Sequence, residues 1–211
     1  MVWNSQINRF IPENWSVCTI GDISKRVKVG FVGPVDAYYC DEDEGIPIIR
    51  PSEMSINGIN YSNLRFITRE FYNKNKKSQI HKGDVLISRC GKDGIPNIYD
   101  RDSNAQVLNA VIIEPDDAKA TSNVLCTLLK SEYSQVQLKN STSGSVQGVI
   151  NTKNIADIMC VYNKEVFKSF GKIIACNYNK QRVLRIENDK LAFLKDWLLP
   201  MLMNGQAAIA D

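Results

Sequence analysis

The spacing of apolar positions changes once along this chain. Up to about residue 165, short apolar runs are separated by glycine, proline and small polar residues. Beyond it, apolar residues recur at steps of three and four. Ile11-Pro12-Glu13-Asn14-Trp15-Ser16-Val17 predicts an opening strand, and residues 19–23 a short helix. Ile46-Pro47-Ile48-Ile49-Arg50, set between Gly45 and Pro51, reads as a strand. Asn57-Gly58 is a turn dipeptide leading into an extended segment at 59–66. Thr68 is placed to cap a short helix at 68–72. Lys82-Gly83-Asp84 turns into a buried strand, Val85-Leu86-Ile87-Ser88, and residues 97–99 and 106–114 continue the β pattern. Val124, Leu125, Leu128 and Leu129 have helical spacing within 121–130. A small polar loop at 141–148 precedes a last strand at 155–162. The expected fold is therefore α/β in the α+β sense: a strand-rich domain over 1–165, a long helix over 166–205 and a tail at 206–211, without internal repeats.

From Lys172 to Leu199 there is neither proline nor glycine. A helix of that span is ~42 Å long at ~1.5 Å per residue, whereas the rest of the chain, folded compactly, is roughly 40 Å across. A helix as long as its domain is wide cannot bury an apolar stripe on that domain alone, so it needs a partner or acts as a spacer. Phe170, Leu184, Leu191 and Leu198 are spaced in sevens, with Asn177 in the missing place. Ile173, Ile174, Gln181, Asn188, Leu194 and Leu202 follow three or four residues on. This is a heptad seam interrupted by amides, which fix register because they must find one another. The predicted pairing set is Ile174, Asn177, Gln181, Leu184, Asn188, Leu191, Leu194 and Leu198. Pro200 and Gly205 are expected to stop the helix.

Composition narrows the function. With 44% hydrophobic and 23% charged residues the chain is of ordinary globular type. No apolar run approaches the ~20 residues of a membrane span, and Met1-Val2-Trp3-Asn4-Ser5-Gln6 lacks the basic and apolar regions of a signal peptide. A cytoplasmic protein is expected. The six cysteines (Cys18, Cys40, Cys90, Cys126, Cys160, Cys176) are scattered, and His81 is the one histidine that could join them. No metal site is predicted; the thiols read as small buried hydrophobes. A Cys90–His81 nucleophile pair is disfavoured, because His81 precedes the same strand that Cys90 follows, a span of roughly 30 Å if extended that only a turn at Gly83 could shorten. No catalytic residue is expected.

The net charge is only +3, but it is segregated. Six basic residues between Arg65 and Lys82 (Arg65, Arg69, Lys74, Lys76, Lys77, Lys82) stand against one acid, Glu70. A second group is Lys25-Arg26-Val27-Lys28, and acids concentrate at Asp41-Glu42-Asp43-Glu44. Such segregation can make one face attractive to phosphate.

Several of these stretches together carry a family resemblance. Leu198-Leu199-Pro200-Met201-Leu202-Met203-Asn204-Gly205 resembles the end of specificity (S) subunits of type I restriction-modification systems. Ile11-Pro12-Glu13-Asn14-Trp15 followed by Ile20-Gly21-Asp22-Ile23 resembles the start of a target recognition domain. Gly45-Ile46-Pro47-Ile48-Ile49-Arg50 resembles its central strand, Lys82-Gly83-Asp84-Val85-Leu86-Ile87-Ser88 its Gly-Asp strand, and Ser143-Gly144-Ser145-Val146-Gln147 its late small-residue loop. In place of the Pro-Pro and Glu-Gln pairs that often open the family's spacer helix stands Tyr162-Asn163-Lys164-Glu165. The resemblance covers one recognition domain and one helix, where a full S subunit resembles two of each, paired antiparallel. The chain is thus either a natural half-subunit or the second half of a longer one.

The resemblance implies a non-catalytic subunit that reads double-stranded DNA and recruits methyltransferase (M) subunits, which bind S-adenosylmethionine, and restriction (R) subunits, which use ATP. No cofactor is expected in this chain. Two copies pairing antiparallel as a coiled coil would read a palindromic split site. DNA readers need cations for phosphates and amide or flat groups for base edges. The candidates are Arg50 and Ser52 after a strand end; Arg89, the leading candidate, and Lys92 in a glycine-rich loop; Ser143, Ser145 and Gln147 in the late loop; and Lys28, Tyr38 and Tyr39 near the early basic group. The alternative is an interaction module that pairs through its helix and binds no DNA.

Overall fold

In the computed structural model, which describes residues 1–89, 94–142 and 149–205, the apolar runs become short strands. β1 (Val2–Asn4) and β2 (Arg9–Ile11) form a hairpin, followed by β3 (Ser16–Thr19), β4 (Ser24–Val29), β5 (Tyr39–Cys40) and β6 (Ile46–Ile49). β7 (Met54–Ser55) and β8 (Gly58–Ile59) form a small hairpin; β9 (Arg65–Ile67), α1 (Arg69–Lys74), β10 (Gln79–Ile80) and β11 (Val85–Ser88) come next. β12 (Pro96–Ile98), β13 (Ala105–Val107) and β14 (Ala110–Pro115) precede α2 (Ser122–Lys130), α3 (Glu132–Thr142), α4 (Thr152–Ala156), β15 (Met159–Tyr162) and α5 (Lys164–Met203).

A five-stranded sheet runs β10-β13-β6-β9-β5 and a four-stranded sheet runs β12-β11-β14-β4. β6 is central, parallel to β13 and antiparallel to β9. Side chains alternate along a strand, so Ile46 and Ile48 enter one cluster with Val35, Ile67, Phe71 and Leu108. Ile49 enters the other with Ile59, Ile80, Leu86, Tyr99, Val107 and Ile112. Burial on both faces explains why this run is apolar throughout rather than alternating.

The structure departs from the sequence reading at six places. The opening strand expected over 11–17 is split between β2 and β3 by a turn in which the Trp15 N–H donates to the Pro12 carbonyl (3.0 Å). Residues 19–23 form a tight turn instead of a helix, because the Asp22 carboxylate accepts both the backbone N–H (2.8 Å) and the hydroxyl (2.9 Å) of Thr19. The strand expected over 106–114 breaks at Leu108–Asn109, where Asn109 takes φ 50° and the chain passes from one sheet to the other. The last strand is confined to β15; the segment before it coils into α4, capped by Asn151, whose side chain accepts the Asn154 N–H at 2.9 Å. Part of the expected polar loop is helical, since α3 extends to Thr142. Pro200 does not stop α5. It removes one ladder bond, and the following turn is held by Asn204 N–H to the Pro200 carbonyl (3.0 Å) and Gly205 N–H to that of Leu202 (3.2 Å). Gly205, at φ 67°, takes the left-handed conformation common just past a helix end. At the other end Asn163 caps α5, its Oδ1 accepting the Val166 N–H at 3.1 Å.

Contacts divide the chain into two compact units, 1–171 and 172–211. The first holds both sheets and the opening turns of α5; the described part of the second is helix with a terminal turn. No helix among the described residues is long and apolar enough to cross a membrane.

Candidate nucleic-acid interface

Strand direction gathers several candidate loops at one end of the two sheets. β6 and β13 are parallel, so both finish there. β4 and β11 also finish there, beside the start of β14. Backbone hydrogen bonds lace the loops together. Leu108 N–H donates to the Ile49 carbonyl (2.8 Å), Phe31 N–H to that of Val107 (3.0 Å), and Asn109 N–H to that of Phe31 (2.8 Å). Arg89 N–H donates to the Asn109 carbonyl (2.9 Å), and Ile150 N–H to that of Arg89 (3.2 Å). Gly30 permits this approach: a Cβ there would lie 2.7 Å from Val107 Cγ1 and 2.8 Å from the Val107 carbonyl oxygen.

Arg89 sits at the junction. Its Nε donates to the Ile150 carbonyl at 3.1 Å, joining the end of β11 to the segment after the late polar loop. Lys92, Ser143, Ser145 and Gln147 lie outside the described residues. Arg50 and Ser52 are at the same end but already engaged. The buried Glu53 carboxylate accepts the Arg50 backbone N–H (2.7 Å), its Nε (3.1 Å) and Nη2 (2.6 Å), and the Ser52 hydroxyl (2.7 Å). The Glu53 contact holds the Arg50 guanidinium pKa above its ordinary value, with a smaller contribution from Tyr39. These groups brace the loop after β6. Tyr39 is half-buried, with the Arg65 guanidinium 4.8 Å from its ring centre. Tyr38 is exposed and packs on Phe71 (ring centres 4.4 Å apart), which Phe31 also meets edge-on at 4.9 Å. Lys28 is the next-to-last residue of β4, near this end, but it is engaged. Its amine contacts the Glu114 carboxylate at 2.7 Å and the Gln79 carbonyl at 3.3 Å, and its side chain is only 15% exposed.

Next to Phe31 the structure forms a basic groove that the candidate set missed. Val29, Gly30, Phe31 and Val32 form one wall; Asn73, Lys74, Asn75, Lys76, Lys77 and Ser78 form the other, enclosing about 470 Å³. The three lysines are exposed, and no acid among the described residues pairs with them. The signal was the basic run between Arg65 and Lys82, six cations against Glu70; what the sequence lacked was the opposite wall. Among the described residues no group of His, Cys, Asp and Glu could hold a metal ion.

The helix of the second unit carries the other candidate surface. Asn177, Gln181, Leu184, Asn188, Leu191, Leu194 and Leu198 are all exposed, Leu191 at 57%; Ile174 is buried. Ile186, Phe193 and Trp197 form a second exposed apolar stripe on another side of the helix, which heptad reasoning passed over.

The fold and site define a strand-rich recognition module with a long terminal helix, presenting polar loops and a basic groove. The chain belongs to the family of the type I restriction modification DNA specificity domain, which it matches over residues 12–159. It is 28% identical over 149 residues to the EcoBI specificity subunit of Escherichia coli, covering 69% of this chain and 31% of that protein. It is 22% identical over 211 residues to the HindI specificity subunit of Haemophilus influenzae, covering 93% of this chain and 42% of that protein. The fold is shared with the HsdS subunit from Thermoanaerobacter tengcongensis (TM-score 0.57, 14% identity, 92% of this chain and 45% of that one). It is shared also with the type I restriction-modification S subunit from M. genitalium (TM-score 0.58, 18% identity, 89% and 45%). The chain thus spans less than half the length of these relatives.

Proposed function

We propose that this chain is a DNA-recognition half of a type I restriction-modification specificity subunit, without catalysis of its own. The observation that carries the reading is the basic groove of Lys74, Lys76 and Lys77 beside Phe31, continuous with the loops that converge on Arg89. The lysines and the groove wall follow the phosphate backbone, while Arg89, Tyr38 and the neighbouring loops face the bases. Phosphate contacts position such a protein and base contacts specify its site. The exposed leucine seam takes an antiparallel mate of the same kind, so two recognition domains read the two parts of a palindromic split site. The stripe of Ile186, Phe193 and Trp197 leaves apolar surface for a methyltransferase subunit. S-adenosylmethionine and ATP then belong to partner subunits, and the assembly works in the cytoplasm.

Titration of double-stranded DNA with the chain and its methyltransferase partner, across a series of salt concentrations, tests this reading. Affinity is expected to fall log-linearly as salt rises, because each neutralised phosphate releases counterions. Absence of salt-sensitive binding would leave an interaction module that pairs through its helix and does not read DNA.

A further inference from the structure

Cys18 and Cys160 face one another across the ladder that leads the chain into α5. They are directly opposed partners in the β3–β15 pair, and their sulfurs are 3.6 Å apart. Among the described residues β15 has no other strand neighbour. At its start, the Gln137 side chain holds the Met159 N–H (2.8 Å) and carbonyl (2.9 Å); at its end, the Ser16 hydroxyl reaches the Tyr162 carbonyl at 3.4 Å, and the Asn163 amide reaches that of Asn14 at 3.1 Å. A disulfide needs sulfurs ~2.05 Å apart on side chains whose Cβ atoms already face each other. Opposed residues of an antiparallel pair meet the second condition, so only the last ~1.5 Å of approach between the sulfurs is missing.

We propose that Cys18 and Cys160 form a redox-modifiable dithiol, which a small-molecule disulfide oxidises to an intramolecular cross-link between β3 and β15. Cys18 is the attacking group. It is half-exposed, whereas Cys160 is buried. The hydrogen bond between the two sulfurs lowers the Cys18 pKa, outweighing burial and the Asp22 charge, which push it up, and it raises that of Cys160. The Cys18 thiolate attacks one sulfur of the oxidant RSSR, forming a Cys18–SR mixed disulfide and releasing RS⁻. Cys160 then loses its proton and attacks the Cys18 sulfur, breaking the bond to the second RS⁻. Overall, two protein thiols and RSSR become one protein disulfide and two RSH, with the protein oxidised and RSSR reduced. Of the other described cysteines, Cys126 is buried with its sulfur on the Pro96 carbonyl, Cys40 is half-buried on β5 and Cys176 is exposed on α5.

The cross-link would close a loop spanning most of the first unit, so the unfolded chain loses conformational freedom and the oxidised form unfolds at a higher temperature. It would also hold β15, the last strand before α5, permanently against β3. In a reducing cell the pair stays open and closes only during an oxidative excursion.

The test is to treat the full chain with oxidised glutathione, alkylate it, digest it without reductant and map the peptides by mass spectrometry. One linked pair joining the Cys18 and Cys160 peptides is expected, with loss of alkylation at both and full reversal by dithiothreitol. Cys160→Ser, or Cys160→Ala should the serine variant not fold, is expected to stop at a glutathione mixed disulfide on Cys18. The unmutated chain should unfold at a higher temperature when oxidised, and Cys18→Ser should show no such rise. Continued alkylation of both thiols after oxidation would overturn the proposal. So would Cys18 in the unmutated chain ending as a mixed disulfide or linked to a different cysteine.

Discussion

Lys28 and Lys76 carry the same charge and differ in what surrounds them. Lys28, near the end of β4, is tied to Glu114 and the Gln79 carbonyl; Lys76 stands exposed on a groove wall. In the sequence both belong to basic clusters, and nothing local tells them apart, because the partner of Lys28 arrives on β14 from far along the chain. Arg50 is similar: its strand-end position was legible, and its Glu53 clamp was not. Lys28→Ala should therefore act on stability, costing about 1 kcal/mol for a partly buried ion pair. Burial favours the protonated acid at Glu114, but the Lys28 interactions outweigh it and the net pKa lies below the ordinary 4.5. A depressed carboxylate stabilises above its unfolded-state pKa and loses that contribution as pH falls through the folded-state value. The Tm deficit of Lys28→Ala should thus be full at neutral pH and shrink through and below pH 4.5, with its DNA salt dependence unchanged. Lys76→Ala and Lys77→Ala should do the reverse: Tm held, and the salt slope reduced by about 1 for each phosphate that the variant no longer neutralises. Equal slopes for all three variants would remove the groove from the interface.

Among the elements, α5 was the most legible and α3 the least. The heptad spacing of Leu184, Leu191 and Leu198 announces a helix without tertiary help. Glu132-Tyr133-Ser134-Gln135-Val136-Gln137 is polar nearly all round, and its helix is held from elsewhere, for instance by the Gln137 amide on the Met159 carbonyl at 2.9 Å. Strand breaks were also hidden. Asn109 can adopt a left-handed φ, but only the arrangement of two sheets requires it to. Since Leu191 is 57% exposed in the single chain, Leu191→Asp removes little packing from the chain's own fold. Light scattering at tens of micromolar should show a dimer for the unmutated chain and a monomer for Leu191→Asp, with the recognition domain unfolding at the same temperature in both. An unmutated chain that is strictly monomeric would refute self-association through this seam.

At the scale of the molecule, one recognition domain and one helix make up a chain that covers less than half of its relatives. The strand-rich domain and the terminal helix could be read from the change in apolar period. The pairing order of the short strands could not, because many among the described residues are only two to four residues long, too short for a periodic signal. The candidate site was half legible for the same reason: Arg89 and the charge run stand in the sequence, while the laced loops and the groove wall exist only once β4, β6, β11 and β13 end together. If two copies pair antiparallel, the DNA they read inherits their two-fold symmetry. The most direct measurement is methylation mapping of DNA from cells that express the chain with its methyltransferase subunit, against cells that lack the chain. The account predicts a modified motif, dependent on the chain, whose two parts are inverted copies across a spacer of fixed length. Methylation that does not change when the chain is removed would contradict it.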